Sequence, residues 1–353
     1  DNYYLAQPYL ERIKSGKVGT KELDDKVRRI LRLAFRTTMD RNRPYGTMRS
    51  PEHYDAARKI GEAGIVLLQN NNDLLPIDLD KTKKIAVIGA GPAGMSAAYY
   101  LRTKGYPVTI FEKESRAGGM LMNGIPSFRL EKSVIEAEID ILKQMGIEFR
   151  YNVEIGKDIT IPELRAQGYQ AFYIAIGAQG GRKTGIPGED AKGVTTGVEF
   201  LRSVNLNEDS VHLNGRTVVI GGGNVAIDVA RTALRTGSEL VSMYCLESEA
   251  EMPAARDEVE EAKEEDIQIQ CGWGPKEILQ ILTENGAVTG IVLKKCISVF
   301  DENHRFAPVY DENDCITLEC ENVLLSIGQT ILWGNLLKDT AVELRPNQTA
   351  QAD

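Results

Sequence analysis

Two glycine clusters in the chain have the spacing that cradles a phosphate. Gly89, Gly91 and Gly94 stand as G-x-G-x-x-G, with Pro92 and Ala93 between the second and third glycines. In such a turn the first glycine permits a tight bend and the second lets a pyrophosphate approach the backbone. The third lets the following helix pack close to the strand. The helix N-terminus then meets the anion with free N–H groups and the positive end of its dipole. Glu112 lies 23 positions after Gly89, at the end of the next apolar run, where a carboxylate can accept hydrogen bonds from a ribose. The second cluster is Gly221, Gly223 and Ala226, with Asn224 and Val225 between them, and Glu247 follows Gly221 by 26 positions. A carboxylate there would bond the 2′-hydroxyl of NADH and repel the 2′-phosphate of NADPH. Followed by Ser248 and Glu249, it reads also as a solvated surface glutamate, and both readings stand at this level.

Two nucleotide sites in one chain imply a relay. Flavin is the usual mediator, because it takes a hydride from nicotinamide and releases single electrons. The protein need supply no acid, base or nucleophile for that step; it must hold two rings at reaction distance. No catalytic residue is therefore assigned.

The elements that must position these turns are legible around them. Ile85-Ala86-Val87-Ile88 reads as a short buried strand, residues 95–104 as a helix and Val108-Thr109-Ile110-Phe111 as the next strand. The same strand–turn–helix–strand unit recurs over 217–245. Residues 131–145 read as a helix, 171–176 as a strand, and Glu284-Asn285-Gly286 as a hairpin turn. The expected fold class is α/β, with two doubly wound nucleotide-binding domains, the second inserted in the first, and a mainly helical N-terminal segment. In that segment residues 21–36 and 51–63 carry helical periodicity, the latter with Ser50 as its cap. An Asn-Arg-Pro-Tyr-Gly turn at 42–46 separates them. The apolar run 65–68 is broken by Asn70-Asn71-Asn72-Asp73.

Composition narrows the classes. The formal net charge of −9 gives no basic face for nucleic acid. No run of 18 apolar residues exists, so no spanning helix is expected. The five cysteines, at 245, 271, 296, 315 and 320, lack metal-ligand spacing; Cys315 and Cys320 are the nearest pair in sequence. They read as free thiols of a reducing cytoplasm, with no metal site.

From Gly89 to Gly94, Phe111-Glu112, Gly118-Gly119 and residues 124–130 (GIPSFRL), the chain resembles the family of the glutamate synthase small subunit and the matching half of dihydropyrimidine dehydrogenase. Ala175-Ile176-Gly177, residues 221–228, Glu251-Met252-Pro253-Ala254 and Ser326-Ile327-Gly328-Gln329 extend the resemblance over about 83–345. It implies FAD on the first sheet, held by Gly89, Gly91, Gly94, Glu112, Gly119, Met120 and Arg129, with Ile155 at the adenine end and Gly177 nearby. Gly223, Asn224 and Val225 would hold NADH or NADPH, with Ser326 and Gly328 near the ring. Arg129 also reads as a surface arginine and Ile155 as plain core. The implied partner is an electron-accepting subunit or small acceptor, such as a glutamate synthase large subunit, with neither nucleic acid nor membrane involved.

The chain departs from that pattern in three places. Many members carry paired arginines where Cys245 and Leu246 stand before Glu247. The family's cysteine-rich iron–sulfur domain has no counterpart before Cys245. The family's Gly-Asp pair at the flavin end is not reached by Asp353.

Residues 25–31 (DKVRRIL), 65–70 (IVLLQN) and 74–77 (LLPI) resemble instead the barrel end and linker of glycoside hydrolase family 3. The expected organisation is therefore a glycoside hydrolase-like fragment over 1–82 and the first part of an FAD domain over 83–180. An NAD(P) domain follows over 181–329, and a truncated return to the FAD domain over 330–353. The join suggests a hybrid of two coding segments. The expected function is a FAD-dependent NAD(P)H oxidoreductase delivering electrons to a partner. Its rivals are a non-catalytic nucleotide-binding fragment with an open sheet edge and a glycosidase, for which no pair of placed carboxylates is identifiable.

Overall fold

The computed structural model describes residues 84–351 apart from 208–210, 282–285 and 304, together with scattered positions between 11 and 59. The chain divides into two units, Asp1–Val66 and Leu67–Asp353. In the first unit the described positions within 21–31, and positions 55 and 59, are helical, in line with the periodicity there. Each stretch carries an i,i+4 ion pair, Arg29 to Asp25 at 2.8 Å and Lys59 to Asp55 at 2.7 Å. The expected turn at 42–46 and the runs at 65–77 lie outside the described residues.

The second unit holds two parallel sheets. The first is built from β1 (Ile85–Ile88), α1 (Pro92–Thr103), β2 (Val108–Phe111), α2 (Met120–Asn123), α3 (Lys132–Gln144), β3 (Glu148–Arg150), α4 (Ile161–Ala166) and β4 (Ala171–Ile174). Its strand order is β3-β2-β1-β4, all parallel. All four residues of β1 are buried, as a central parallel strand covered on both faces requires. Their alternation assigns the faces. Ile85 and Val87 pack with Ile110, Ile135 and Ile139, whereas Ala86 and Ile88 pack with Phe111, Leu164 and Tyr169. Leu336, from the C-terminal part of the chain, is buried in the second group, so the chain returns to the first sheet. α4 is started by a capping box, the Thr160 hydroxyl accepting from the Glu163 N–H while the Glu163 carboxylate accepts from the Thr160 N–H.

Two short antiparallel strands, β5 (Gly180–Gly181) and β14 (Gln329–Thr330), lie side by side where the chain leaves the first sheet and comes back. Between them runs the second sheet, with β6 (Val194–Thr196), α5 (Gly197–Leu206), β7 (Arg216–Ile220), α6 (Asn224–Arg235), β8 (Leu240–Cys245), α7 (Arg256–Glu264), β9 (Gln268–Cys271) and β13 (Asn322–Leu325). The order is β6-β13-β7-β8-β9, again all parallel. An antiparallel meander of β10 (Trp273–Gln280), β11 (Val288–Phe300) and β12 (Phe306–Glu319) is inserted between β9 and β13. β10 and β11 pair antiparallel, and Glu284 and Asn285 of the expected hairpin turn lie outside the described residues. The long β12 was not foreseen, because register shifts near Lys294 and Cys296 break the period-two pattern. α1 starts at Pro92, three residues before its predicted start, because proline at the first helical position follows directly on the glycine turn.

α6 and α7 are tied by ions. Arg231 reaches Glu261 at 2.5 Å and Glu265 at 2.6 Å, and Arg235 reaches Glu265 at 2.6 Å. The Arg235 hydrogen bond, with Arg231 adding to it against some burial, holds the Glu265 carboxyl down at about 2. A carboxyl depressed in the fold stabilises above its unfolded value of 4.5, and that contribution is lost as pH falls toward 2. Thermal unfolding followed from pH 6 to about 2 is expected to show Tm falling through this window. Glu265→Gln should lower Tm at pH 6 and flatten that part of the acid limb.

Candidate functional site: two glycine turns at two switch points

Both glycine turns sit at the C-terminal ends of parallel strands, where neighbouring connections run in opposite directions and a crevice opens. In the first sheet β1 is flanked by β2 and β4. Gly89 has φ of +103° and backs directly onto the Ala175 carbonyl beyond β4, with which any Cβ would collide. Gly94 packs against the Gly89 carbonyl and the Val87 side chain in the same way. Gly91 caps α1 without a side-chain hydrogen bond, and Pro92 and Ala93 open the helix. The first-turn N–H groups, which a helix leaves without internal partners, are therefore available to a ligand. Gly119 lies so close that a Cβ on it would stand 2.7 Å from the Gly91 Cα. Two side-chain-free backbones thus face each other at the mouth.

Glu112 is 3% exposed and accepts from the Ala90 N–H at 2.7 Å and the Glu114 N–H at 2.9 Å. Burial pushes its carboxyl up from the ordinary value, and these two N–H donors pull it back. The carboxylate therefore braces the turn directly while retaining lone pairs for a ribose. Gly89, Gly91, Glu112 and Ile155 line one cleft with about 610 Å³ of space open to solvent, joined by Lys113, Ile176, Gln179 and Trp333. Ile155 is also core, packed with Ile88 and Phe111.

The second turn repeats the construction. β7 is flanked by β8 and β13, and Gly221, with φ of +144°, abuts the Ser326 carbonyl just beyond β13. Gly223 caps α6, again with no side-chain cap, and has open space where a side chain would stand. Val225 is 37% exposed on the first turn of α6. The Asn224 side chain accepts from the Ala255 N–H at 2.8 Å, tying the turn to the start of α7. The Glu247 carboxylate comes to the turn itself, 3.0 Å from where a Cβ on Gly222 would lie. The Ser326 hydroxyl is buried without a hydrogen-bond partner. Gly328 has φ of +125°, faces open space and accepts from the Arg182 N–H.

Of the residues implied for FAD, Gly94, Gly119, Met120, Arg129 and Gly177 stand apart from the cleft lining. Met120 begins α2, and its carbonyl accepts from the Gly124 and Ile125 N–H groups. Gly177 is a left-handed turn residue with φ of +62°. Arg129 reaches across to the second sheet, pairing with Asp228 at 2.9 Å and Glu258 at 2.5 Å. The adjacent Phe128 ring lies under Arg231 and Arg235, at 4.8 and 4.2 Å from their guanidinium carbons. A second bridge runs from Arg202 on α5 to the buried Glu114 at 2.6 Å. Sequence reasoning missed Glu114, Phe128, Arg202, Asp228 and Glu258 as the residues that set one sheet against the other. Only their charge and aromatic character could have drawn notice, since their partners lie 88 to 129 positions away. Asn123, at the end of α2, was missed as well; both polar atoms of its buried amide are without partners.

The residues present fit two dinucleotides: side-chain-free mouths, uncapped helix starts and a carboxylate at each turn. Among the described residues, no cluster of three or more metal-ligating side chains occurs and no helix is long and apolar enough to cross a membrane.

Gly89→Ala and Gly221→Ala are each expected to destabilise the protein by about 2 kcal/mol or more, because strain at positive φ adds to a backbone collision. Glu112→Gln turns an acceptor-only group into one with a donor facing a backbone N–H. It should cost about 1–3 kcal/mol in urea unfolding.

Comparison with known proteins agrees with this geometry. Residues 83–353 match the pyridine nucleotide-disulphide oxidoreductase model, beginning where the sequence changes character. The chain is 40% identical over 251 residues to the NADP(+)-dependent formate dehydrogenase subunit beta of Moorella thermoacetica, covering 70% of this chain and 35% of that protein. It is 38% identical over 255 residues to the NADPH-Fe(3+) oxidoreductase subunit beta of Geobacter sulfurreducens, covering 70% and 37%. With the glutamate synthase [NADPH] small chain of Azospirillum brasilense it shares 31% identity, covering 72% and 58%. The chain thus spans little more than a third of the length of the first two relatives. Among solved structures it is similar in fold to Mycobacterium tuberculosis FprA, with a TM-score of 0.62 at 22% identity over 71% of this chain and 72% of the other. From the two switch-point turns and the match over 83–353, the chain belongs to the pyridine nucleotide-disulphide oxidoreductase family.

Proposed function

We propose that the first glycine turn holds FAD, the second holds a nicotinamide dinucleotide, and the protein passes a hydride between them for delivery to a partner. The observation that carries this reading is the duplication itself: two parallel-sheet switch points in one chain, each with an uncapped helix start and a carboxylate. FAD supplies a hydride acceptor that can release electrons one at a time.

The chain's own residues bind and orient. Gly91 and Gly119, packed backbone to backbone, keep side chains away from the turn, where α1 presents its N–H groups to the pyrophosphate. Glu112, already braced on the Ala90 N–H, offers its remaining lone pairs to the adenosine ribose. Gly223 and the start of α6 receive the second pyrophosphate, Glu247 the ribose hydroxyls, and the unpartnered Ser326 hydroxyl a polar group at the ring end. Arg129 and Arg202, through Asp228, Glu258 and Glu114, hold the two sheets in the orientation that hydride transfer needs. Glu247 at the turn favours NADH, because a 2′-phosphate there would meet a like charge.

The names of the relatives, two beta subunits and a small chain, support an electron-accepting partner subunit. The glycoside hydrolase likeness of residues 1–82 contributes no step to this reading, since no pair of catalytic carboxylates is identifiable from the sequence there.

The test is the absorbance of the purified chain, supplied with FAD, between 350 and 500 nm under anaerobic conditions. Bleaching on addition of nucleotide is expected, faster with NADH than with NADPH, and Glu247→Gln should narrow that difference. A chain that binds no flavin would overturn the relay.

A further inference from the structure

The five cysteines are free, yet two of them meet. Cys245 ends β8 and Cys271 ends β9, and the two are direct partners across adjacent parallel strands. Their Sγ atoms stand 3.6 Å apart. Neighbouring strands are spaced about 4.8 Å apart, within the Cα separation of about 4.4–6.8 Å that a disulfide accepts. A bond therefore needs the sulfurs to close to about 2.05 Å, a movement of side chains and strand ends without a change of fold.

The pair adjoins the second nucleotide site. A Cβ at Gly222 would meet the Cys245 Cβ at 2.9 Å and the Glu247 Oε2 at 3.0 Å, so one glycine touches both the thiol residue and the acid. The Glu247 carbonyl accepts from the Gly272 N–H at 3.0 Å, which couples the residue after Cys271 to the same acid. Cys245 is 3% exposed, whereas Cys271 is half-buried and is the thiol an oxidant can reach first. Burial foremost, with Cys271 beside it, pushes the Cys245 thiol up, which disfavours it as the first attacking sulfur.

We propose that Cys245 and Cys271 form a reversible disulfide that weakens dinucleotide binding at the Gly221–Gly223 turn. The oxidant is a low-molecular-weight disulfide. The Cys271 thiolate attacks one of its sulfurs, the S–S bond breaks, and one thiol leaves with the first proton. Cys245 then attacks the mixed disulfide at the Cys271 Sγ, releasing the second thiol with the second proton. Two protein thiols are oxidised and one small disulfide is reduced to two thiols. Closing the bond draws the end of β8 toward β9 and shifts Glu247 from the turn. The bond itself is independent of the proposed hydride relay; only its effect on nucleotide rests on that reading.

The experiment equilibrates the full chain in glutathione buffers of increasing oxidation. Free thiols are counted, bridged peptides are mapped without reduction, and NADH affinity is titrated in the same samples. The expected result is a fall from five thiols to three, a bridge mapping to Cys245–Cys271, and a Kd for NADH about tenfold weaker, as loss of one charge-assisted hydrogen bond predicts. Dithiothreitol should restore it. Cys271→Ser should form no such bridge and keep the reduced-state affinity in every buffer. Five free thiols throughout, or a bridge between other cysteines, would overturn the proposal. A Cys245–Cys271 bridge with unchanged NADH affinity would overturn its effect on the site. If the reduced chain bound neither NADH nor NADPH, the nucleotide reading and the effect would both fail, while the peptide map would still decide the bond.

Discussion

Everything in this chain depends on two places where backbone touches backbone at a switch point. Gly89 lies against the Ala175 carbonyl and Gly221 against the Ser326 carbonyl, each at a positive φ that side chains resist. Remove the freedom of either glycine and the central strand can no longer turn into its helix beside the neighbouring strand. The helix N-terminus would then miss the crevice where a phosphate can be held. The sheets exist in part to deliver these turns, and the buried strands β1 and β7 are the rigid rods on which they are mounted.

A carboxylate completes each turn, in different ways. Glu112 is buried and spends two acceptor positions on backbone N–H groups, so it is part of the framework before any ligand arrives. Glu247 is more exposed and approaches the second turn without such braces, close to the sulfurs of Cys245 and Cys271.

Between the sheets, charged contacts stand beside the packing of α2 on α5, where the Asn205 amide donates to the Asn123 carbonyl at 3.1 Å. Arg129 with Asp228 and Glu258, Arg202 with Glu114, and Phe128 under two arginines span the interface. Ion pairs of this kind fix orientation more than they add stability, since desolvation offsets much of their attraction. Their importance lies in geometry: one sheet's loop supplies the residues that set the other's angle.

What the sequence determined by itself was local. Ile85–Ile88 and Val108–Phe111 were legible as strands, and the glycine spacings as tight strand-to-helix turns, because strand burial and turn conformation are dictated by neighbours a few residues away. The two nucleotide units followed, as did the acids at the ends of their second strands. Tertiary structure alone decided what lies across long separations. It bridged Arg129 to Asp228 on α6 and Glu258 on α7, wove the long β11–β12 meander in beside the second parallel sheet, and fixed Leu336 as the residue by which the expected return packs on the first sheet. It also paired Cys245 with Cys271, where sequence proximity had singled out Cys315 and Cys320. The physical reason is common to all four. A side chain's partner is set by which strands lie adjacent and which faces pack, and that ordering is a property of the whole folded chain.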